Sequence, residues 1–160
     1  MNDRKQEPIT LLEEILPIDA NTYGTAVGGK ILALMDRAAD LAASRYARTH
    51  FVTASLDALE FRAPVKQGEL VEVTAKVVYT SRHTCAAKVR VYAVDKTKWD
   101  KRPCSQGIFF MVALSQEGRP LPIMELVPDG PEARKDWEEA RDIHKRMIVR
   151  MRGSMNSSSL

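Results

Sequence analysis

The spacing of hydrophobic and polar residues changes at about residue 50 of this 160-residue chain. Between about Gly29 and Arg48, apolar and small residues recur at intervals of three and four, which predicts a helix. One broad apolar arc of that helix contains Ile31, Leu32, Met35, Ala38, Ala39, Ala42, Ala43 and Tyr46. A helix this apolar and this rich in alanine is predicted to lie buried and close against another surface, such as a sheet.

From residue 51 onward, apolar and polar residues alternate, as they do in half-buried strands. Hairpin-length turns separate four such segments, at 51–61, 69–80, 84–95 and 104–115. Residues 9–16 fit either a short helix or a strand, and residues 96–103 read as a polar loop. The order of elements predicts an α+β fold in which an antiparallel sheet wraps one long central helix.

The same patterns divide the chain into four parts. We predict a disordered N-terminus over residues 1–8 and a single folded domain over residues 9–127. A C-terminal amphipathic helix is predicted over residues 128–152, because apolar residues there again recur at intervals of three and four. Residues 153–160 are predicted to be a disordered tail.

Composition and charge narrow the class of protein. Hydrophobic residues make up 44% and charged residues 28%, which is typical of a globular domain. No apolar run reaches the roughly 18 residues that span a bilayer, and the N-terminus lacks the apolar stretch of a secretion signal. A cytoplasmic protein with no membrane partner is therefore expected. A net charge of +3 is too weak to indicate a nucleic-acid partner.

The cysteines and histidines give no indication of a metal site. Cys85 and Cys104 are expected to be free thiols in a reducing compartment. These two cysteines and the three histidines lack the spacing of zinc ligands, so no metal is expected.

Asp36 is the first candidate for chemistry, because it lies at the border of the buried arc of the apolar helix. A carboxylate in such a position can serve as a general base or as a nucleophile. The pattern alone favours the alternative, an ion pair on the same face of the helix with Lys30, Arg37 or a neighbour of Asp40.

Gly28 and Gly29 stand at the start of that helix, and Asn21 lies in the turn-rich stretch before it. A helix N-terminus offers unpaired N–H groups that can hold an oxyanion, and glycine lets a ligand oxygen come close. An ordinary turn into a helix remains the other interpretation. Asn21 is either a turn residue or an amide that hydrogen-bonds a water or a carbonyl group.

Two further polar segments are candidates for ligand contacts. Thr53 lies on the polar face of a strand, where a solvated face is the alternative. Arg82, His83 and Thr84 form a predicted hairpin tip whose cation, imidazole and hydroxyl suit a phosphate group. A solvated hairpin end is the alternative there.

Taken in order, these motifs resemble the hot-dog-fold acyl-CoA hydrolases (acyl-CoA thioesterases). The family pattern of an Asn, a Gly-x-x-x-Gly-Gly and a helix with Met-Asp is matched by PIDANTYGTAVGGKILALMDRAADLAASRYA. The segments VTASLDA, YTSRHT and LSQEGRPLP follow in register and look most like the brain-type cytosolic members. The resemblance covers residues 9–150 and implies hydrolysis of acyl-CoA to the free acid and CoA.

The resemblance also implies roles for individual residues. Asp36 matches the catalytic acid, Asn21 matches an Asn supplied across a dimer, and Gly29 matches the helix start that polarises the thioester carbonyl. The implied contacts with substrate and CoA are Gly28, Thr53, Ala54, Arg82, His83 and Thr84. One departure is Val27, where many members have Phe or His.

The implied assembly is a homo-oligomer in which two hot dogs share a continuous sheet, often as a trimer of dimers. Active sites lie between protomers, so a homodimer of this chain has two equivalent sites. No metal or redox cofactor is implied, because CoA enters as part of the substrate and leaves as a product.

Two other classes of function use the same fold. One is a sensor or regulator that binds acyl-CoA without turnover, although no DNA-binding helix-turn-helix precedes the domain. The other is a dehydratase, which needs a histidine with a paired acid, a setting that His50 and His83 lack.

Overall fold

Five strands and two long helices make up residues 7–157, the part of the chain that the computed structural model describes. The predictions for residues 1–6 and 158–160 lie outside the described residues. In chain order the elements are β1 (Ile9–Glu14), α1 (Gly28–Ala47), β2 (His50–Phe61), β3 (Leu70–Thr80), β4 (Thr84–Val94), β5 (Lys101–Leu114) and α2 (Pro131–Ser157). One turn of 3-10 helix, Pro17–Asp19, follows β1. The predicted α+β fold is confirmed.

All five strands form a single antiparallel sheet in the order β1–β3–β4–β5–β2. The segment that fitted either a helix or a strand is β1, which pairs with β3 at one edge. The other edge is β2, a strand of 12 residues that pairs with β5 alone among the described residues. A long unpaired edge is usually covered or paired in native proteins, so β2 is available to another chain.

Helix α1 packs across one face of the sheet, as the sequence predicts for a central helix. Its most deeply buried residues are Met35, Ala38, Ala39 and Ala43, which are 0% exposed. Alanine side chains let the helix approach closely, so the valines of β3 and β4 complete the main core against it.

Helix α2 covers the opposite face of the sheet. Its buried residues, Ala140, Ile143 and Met147, join a second apolar cluster with Val78, Tyr79, Ala86, Ile108 and Phe110. Lys88 of β4 anchors the start of the helix through an ion pair of 2.8 Å with Asp136. The sheet is therefore held between two helices, and the candidate catalytic residues Gly29 and Asp36 belong to α1.

Three boundaries differ from the sequence predictions by three residues or more, and one of them is the start of α2, at Pro131 instead of residue 128. β5 begins at Lys101, because residues 101–103, placed in a polar loop from the sequence, continue the ladder with the end of β4. Helix α2 runs on to Ser157, into the segment 153–160 predicted to be a disordered tail. Each added residue of a formed helix gains a backbone hydrogen bond, and the segment has no proline to stop it.

His144 links α2 to the sheet through aromatic contacts. Its Nδ1 lies 3.4 Å from the Tyr79 hydroxyl, and its ring stacks on Phe110 with the centroids 5.9 Å apart. Burial lowers the pKa of His144 below its ordinary value of 6.5. The folded protein therefore favours the neutral imidazole.

We expect the free energy of unfolding to decrease as the pH falls below about 6.5, since the unfolded chain then takes up a proton that the folded chain resists. At higher pH both states are neutral at His144, and this contribution is flat. Denaturant unfolding of wild type and His144→Gln across this range measures the effect. The variant should depend less on pH, and equal pH dependence in both proteins would contradict the expectation.

Candidate active site

The Asp36 carboxylate lies half-buried in the middle of α1, beside the edge strand β2. Its Oδ1 accepts a hydrogen bond of 2.5 Å from Thr53 Oγ1. The alternative of an ion pair with Lys30 does not hold, because Lys30 pairs with Glu13 and lies 3.6 Å from Asp19. No cation pairs with Asp36 within residues 7–157, so a hydroxyl, not a positive charge, holds the carboxylate.

An open groove of about 540 Å³ gives access to Asp36. Its walls come from one side of α1 and from the start of β2, with Met111 of β5 at the base: Ala33, Asp36, Arg37, Asp40, Phe51, Val52, Thr53 and Met111. Because the groove opens at the free edge of the sheet, a substrate or a second chain can reach the carboxylate.

The start of α1 presents unpaired backbone donors. Val27 occupies the N-cap without a side-chain hydrogen bond, and the first bonded N–H groups are those of Lys30 and Ile31. Within the described chain, the N–H groups of Gly28 and Gly29 have no acceptor. A Cβ on either glycine would meet no atom within 4 Å, so the chain's own packing does not require glycine there. The space before the helix is open to a group from outside the chain.

A second cleft, of about 320 Å³, lies beside Gly28 and is separate from the Asp36 groove. It is lined mainly by apolar residues from the end of β2 and the loop that follows it, with Cys104 and Ser105 of β5. Burial raises the pKa of the Cys104 thiol, and burial raises that of Cys85 to about 12. Both thiols are therefore protonated near neutral pH, and neither has the character of a nucleophile.

Asn21 lies exposed in the loop before α1 and does not line the Asp36 groove of its own chain. Its Oδ1 accepts the backbone N–H groups of Tyr23 at 2.9 Å and of Thr25 at 3.2 Å. The turn role considered from the sequence is therefore present, and the side chain remains accessible.

The hairpin tip that contains Arg82, His83 and Thr84 lies at the same end of the sheet as Asp36. Cys85 pairs with Met111, which in turn pairs with Thr53, so the first residues of β4 lie two strand spacings, about 10 Å, from Thr53. Arg82 is exposed, whereas Nδ1 of His83 is buried and has no partner within the described residues. Arg82 is thus better placed than His83 to contact a phosphate.

Within one chain, the predicted residues around Asp36 lie apart from those at the start of α1. Asp36 and Thr53 are in contact, and Ala54 lies beside them at a register shift of β2 that leaves it without a partner in β5. Gly28 is eight residues before Asp36, which places it about 12 Å away along the helix axis. The contact between Asp36 and Thr53 could not be found from the sequence, because the two residues belong to different elements and only the fold brings them together.

Two features are absent from residues 7–157. No group of three or more His, Cys, Asp or Glu side chains is arranged to hold a metal ion. None of the helices is long and apolar enough to cross a membrane.

One antiparallel sheet wrapped around a buried central helix defines the hot-dog class of proteins. Residues 23–99 match the Thioesterase superfamily. Within that superfamily, the chain is similar to hot-dog-fold acyl-CoA hydrolases.

Relatives and solved structures support the assignment. Over 147 residues, 90% of the chain, it is 33% identical to the cytosolic acyl coenzyme A thioester hydrolase of Homo sapiens, and this match spans 38% of the human protein. It is 27% identical over 128 residues to an uncharacterised acyl-CoA thioester hydrolase of Bacillus subtilis, covering 80% of this chain and 74% of that one. The chain thus spans well under half of the mammalian relative.

The backbone superimposes on an acyl-CoA hydrolase from Bacillus cereus with a TM-score of 0.87 and 29% identity, covering 99% of this chain and 96% of that chain. A hexameric acyl-CoA thioesterase gives a TM-score of 0.85 and 28% identity over 94% of this chain and 95% of that chain.

Proposed function

We propose that this protein hydrolyses acyl-CoA thioesters to the free acid and CoA. The observation that carries the proposal is the Asp36 carboxylate, which lies in an open groove, is held by the Thr53 hydroxyl and has no cationic partner among the described residues. A carboxylate in this state can accept a proton from water. The names of the relatives, acyl-CoA thioester hydrolases, support the thioester as the substrate class.

In the proposed reaction Asp36 takes a proton from a water molecule, whose oxygen adds to the thioester carbonyl carbon. The carbonyl oxygen becomes negative and is stabilised by the free N–H groups of Gly28 and Gly29. The C–S bond then breaks, and the CoA sulfur receives the proton from Asp36. In the alternative route the carboxylate attacks the carbonyl itself and the C–S bond breaks, releasing the CoA thiolate. Water then cleaves the resulting anhydride, and a proton of that water goes to the thiolate.

We place each site between two chains, because a helix start about 12 Å from Asp36 cannot contact the same carbonyl group. Antiparallel pairing of the β2 edges of two chains brings the helix start of the second chain to the thioester carbonyl. Such pairing, centred at the middle of β2 between Ser55 and Leu56, places Thr53 of one chain opposite Ala58 of the other, three residues before Phe61. Phe61 lines the cleft beside Gly28. The helix start and Asn21 of one protomer therefore serve Asp36 of its partner.

The oligomeric state, a contact with the CoA phosphates and the cellular compartment are also part of the proposal. A trimer of such dimers is proposed, in keeping with the hexameric thioesterase that is 28% identical. The exposed Arg82, with Thr84 beside it, is proposed to contact the phosphates of CoA. Two free, buried cysteines suit the cytoplasm, the compartment that the human relative's name gives for that protein.

The proposal is tested by measuring thiol release from saturated acyl-CoAs of graded chain length, from acetyl to stearoyl. Turnover on at least one member is expected, and the series ranks the chain lengths. Tight binding of acyl-CoA with no thiol release from any member would overturn the hydrolase proposal in favour of a sensor.

Thr53→Val is expected to lower kcat about tenfold to a hundredfold, because it removes a hydrogen bond to a charged carboxylate while keeping the shape of the side chain. Asp36 then samples orientations that do not face the water. Thr53→Ser is the matched control, since it keeps the hydroxyl, and it should stay close to wild type. Steady-state kinetics of the three proteins decide the matter, and equal kcat for Val and Ser would contradict a role for the hydroxyl.

A further inference from the structure

The side-chain amide of Asn21 has one defined orientation. One of its two terminal atoms faces the backbone N–H groups of Tyr23 and Thr25, at 2.9 and 3.2 Å. A backbone N–H only donates, so the atom that it faces must be the amide oxygen. These two donors, together with the Thr25 hydroxyl 3.2 Å away, use the accepting capacity of that oxygen, so Oδ1 has none left for a ligand.

The Thr25 hydroxyl contacts both terminal atoms of the same amide. It accepts a hydrogen bond of 3.0 Å from the Nδ2 group of Asn21, and it donates one of 3.2 Å to Oδ1 of Asn21. The backbone of Thr25 is fixed separately, because its carbonyl accepts the Asn21 N–H at 2.8 Å and it forms an isolated bridge with Lys66. The hydroxyl of Thr25 therefore acts on the orientation of the Asn21 side chain and is not needed to close the loop.

One hydrogen of Nδ2 remains after these bonds are counted. Because Asn21 is exposed, this hydrogen can reach a group outside its own chain. An N–H donor suits the thioester carbonyl oxygen, which gains negative charge during the reaction. It suits the attacking water less well, because a donor to the water oxygen draws electron density away from the atom that attacks.

We infer that Asn21 works as a hydrogen-bond donor to the thioester carbonyl oxygen and that Thr25 is the positioning residue that fixes it in this role. The inference rests on the proposed function, and it assigns Thr25 a part that no resemblance supplies. Asn21 of one protomer then joins the N–H groups of Gly28 and Gly29 of the same protomer around one oxygen.

The test uses Thr25→Val, which removes the hydroxyl and keeps the branched shape, with Thr25→Ser as the control that retains the hydroxyl. In the full-length enzyme Thr25→Val should lower kcat about tenfold with KM little changed, because a misplaced donor weakens binding of the transition state more than binding of the substrate. Thr25→Ser should restore kcat. The thermal midpoint of Thr25→Val should stay close to wild type.

A double-mutant cycle separates positioning from a structural effect. Asn21→Ala is expected to lower kcat about a hundredfold, and adding Thr25→Val to it should cause no further loss. Wild-type kcat for Thr25→Val, or additive losses in the double variant, would overturn the inference. A wild-type enzyme with no turnover on any acyl-CoA would instead overturn the proposed function, so the two failures are distinguishable.

Discussion

Replacing Asp36 with Asn is expected to lower kcat for acyl-CoA hydrolysis by about 10²–10⁴-fold, the usual contribution of a general base. The amide is nearly isosteric and keeps an oxygen that can accept the Thr53 hydroxyl, but it has no basic site for the proton of water. KM should change little, because substrate binding does not use the charge. Folding should be preserved, since Asp36 forms no ion pair among the described residues.

Asp40→Asn is the matched control for this experiment. Asp40 lies one turn further along α1, carries the same charge and accepts a hydrogen bond of 3.5 Å from Ser44 instead of one from β2. Its substitution changes the local charge equally, so it should affect kcat far less than Asp36→Asn does. Thiol release at saturating acyl-CoA and thermal unfolding of the three proteins are the measurements. Near-normal kcat in Asp36→Asn would remove Asp36 from the mechanism.

Mixing two inactive variants is expected to restore activity. In a dimer of Asn21→Ala and Asp36→Ala chains, one site receives both substitutions and the other receives neither. Random association makes half of the dimers mixed, so the pool should regain about a quarter of the wild-type activity. The recovery should be large because each variant alone is expected to be about a hundredfold or more below wild type.

The mixing experiment needs exchange of chains, which co-expression provides and native mass spectrometry can verify. Co-expression of wild type with a chain that carries both substitutions is the control. Its mixed dimers contain no intact site, so the pool should keep only the quarter of the activity that wild-type homodimers supply, against half if both residues act within one chain. Activity from the complementing pair that stays at background, although mixed dimers are present, would mean that Asn21 and Asp36 act within one chain.

Much of the fold could be predicted, because the periods of helix and strand differ. The interval of three and four over residues 29–48 and the alternation after residue 51 placed α1 and the strands β2 to β5. The sequence does not decide between helix and strand for β1, because its six residues are too few to show which period the apolar positions follow. The start of β5 was missed because residues 101–103 are polar and exposed at the strand end, where only the pairing with β4 makes them a strand.

Some residues of the candidate site could be predicted from the sequence, whereas the contact between two of them could not. Asp36, Asn21 and the Gly28–Gly29 pair could be selected from their spacing and from the resemblance, since all three features lie within one continuous stretch. Their catalytic roles stay predictions until the variants are measured. The partner of Asp36 could not be selected, because Thr53 is 17 residues away in sequence and belongs to the edge strand.

The sequence by itself determined which faces are buried, where the elements begin and end to within a few residues, and which polar residues interrupt an apolar surface. Only the tertiary structure decided that the Thr53 hydroxyl meets the Asp36 carboxylate and that α2 covers the face of the sheet opposite α1. It also decided that the edge of β2 remains open beside the groove. The reason is that periodicity specifies the face an element buries, whereas the element that covers this face depends on how the whole chain packs.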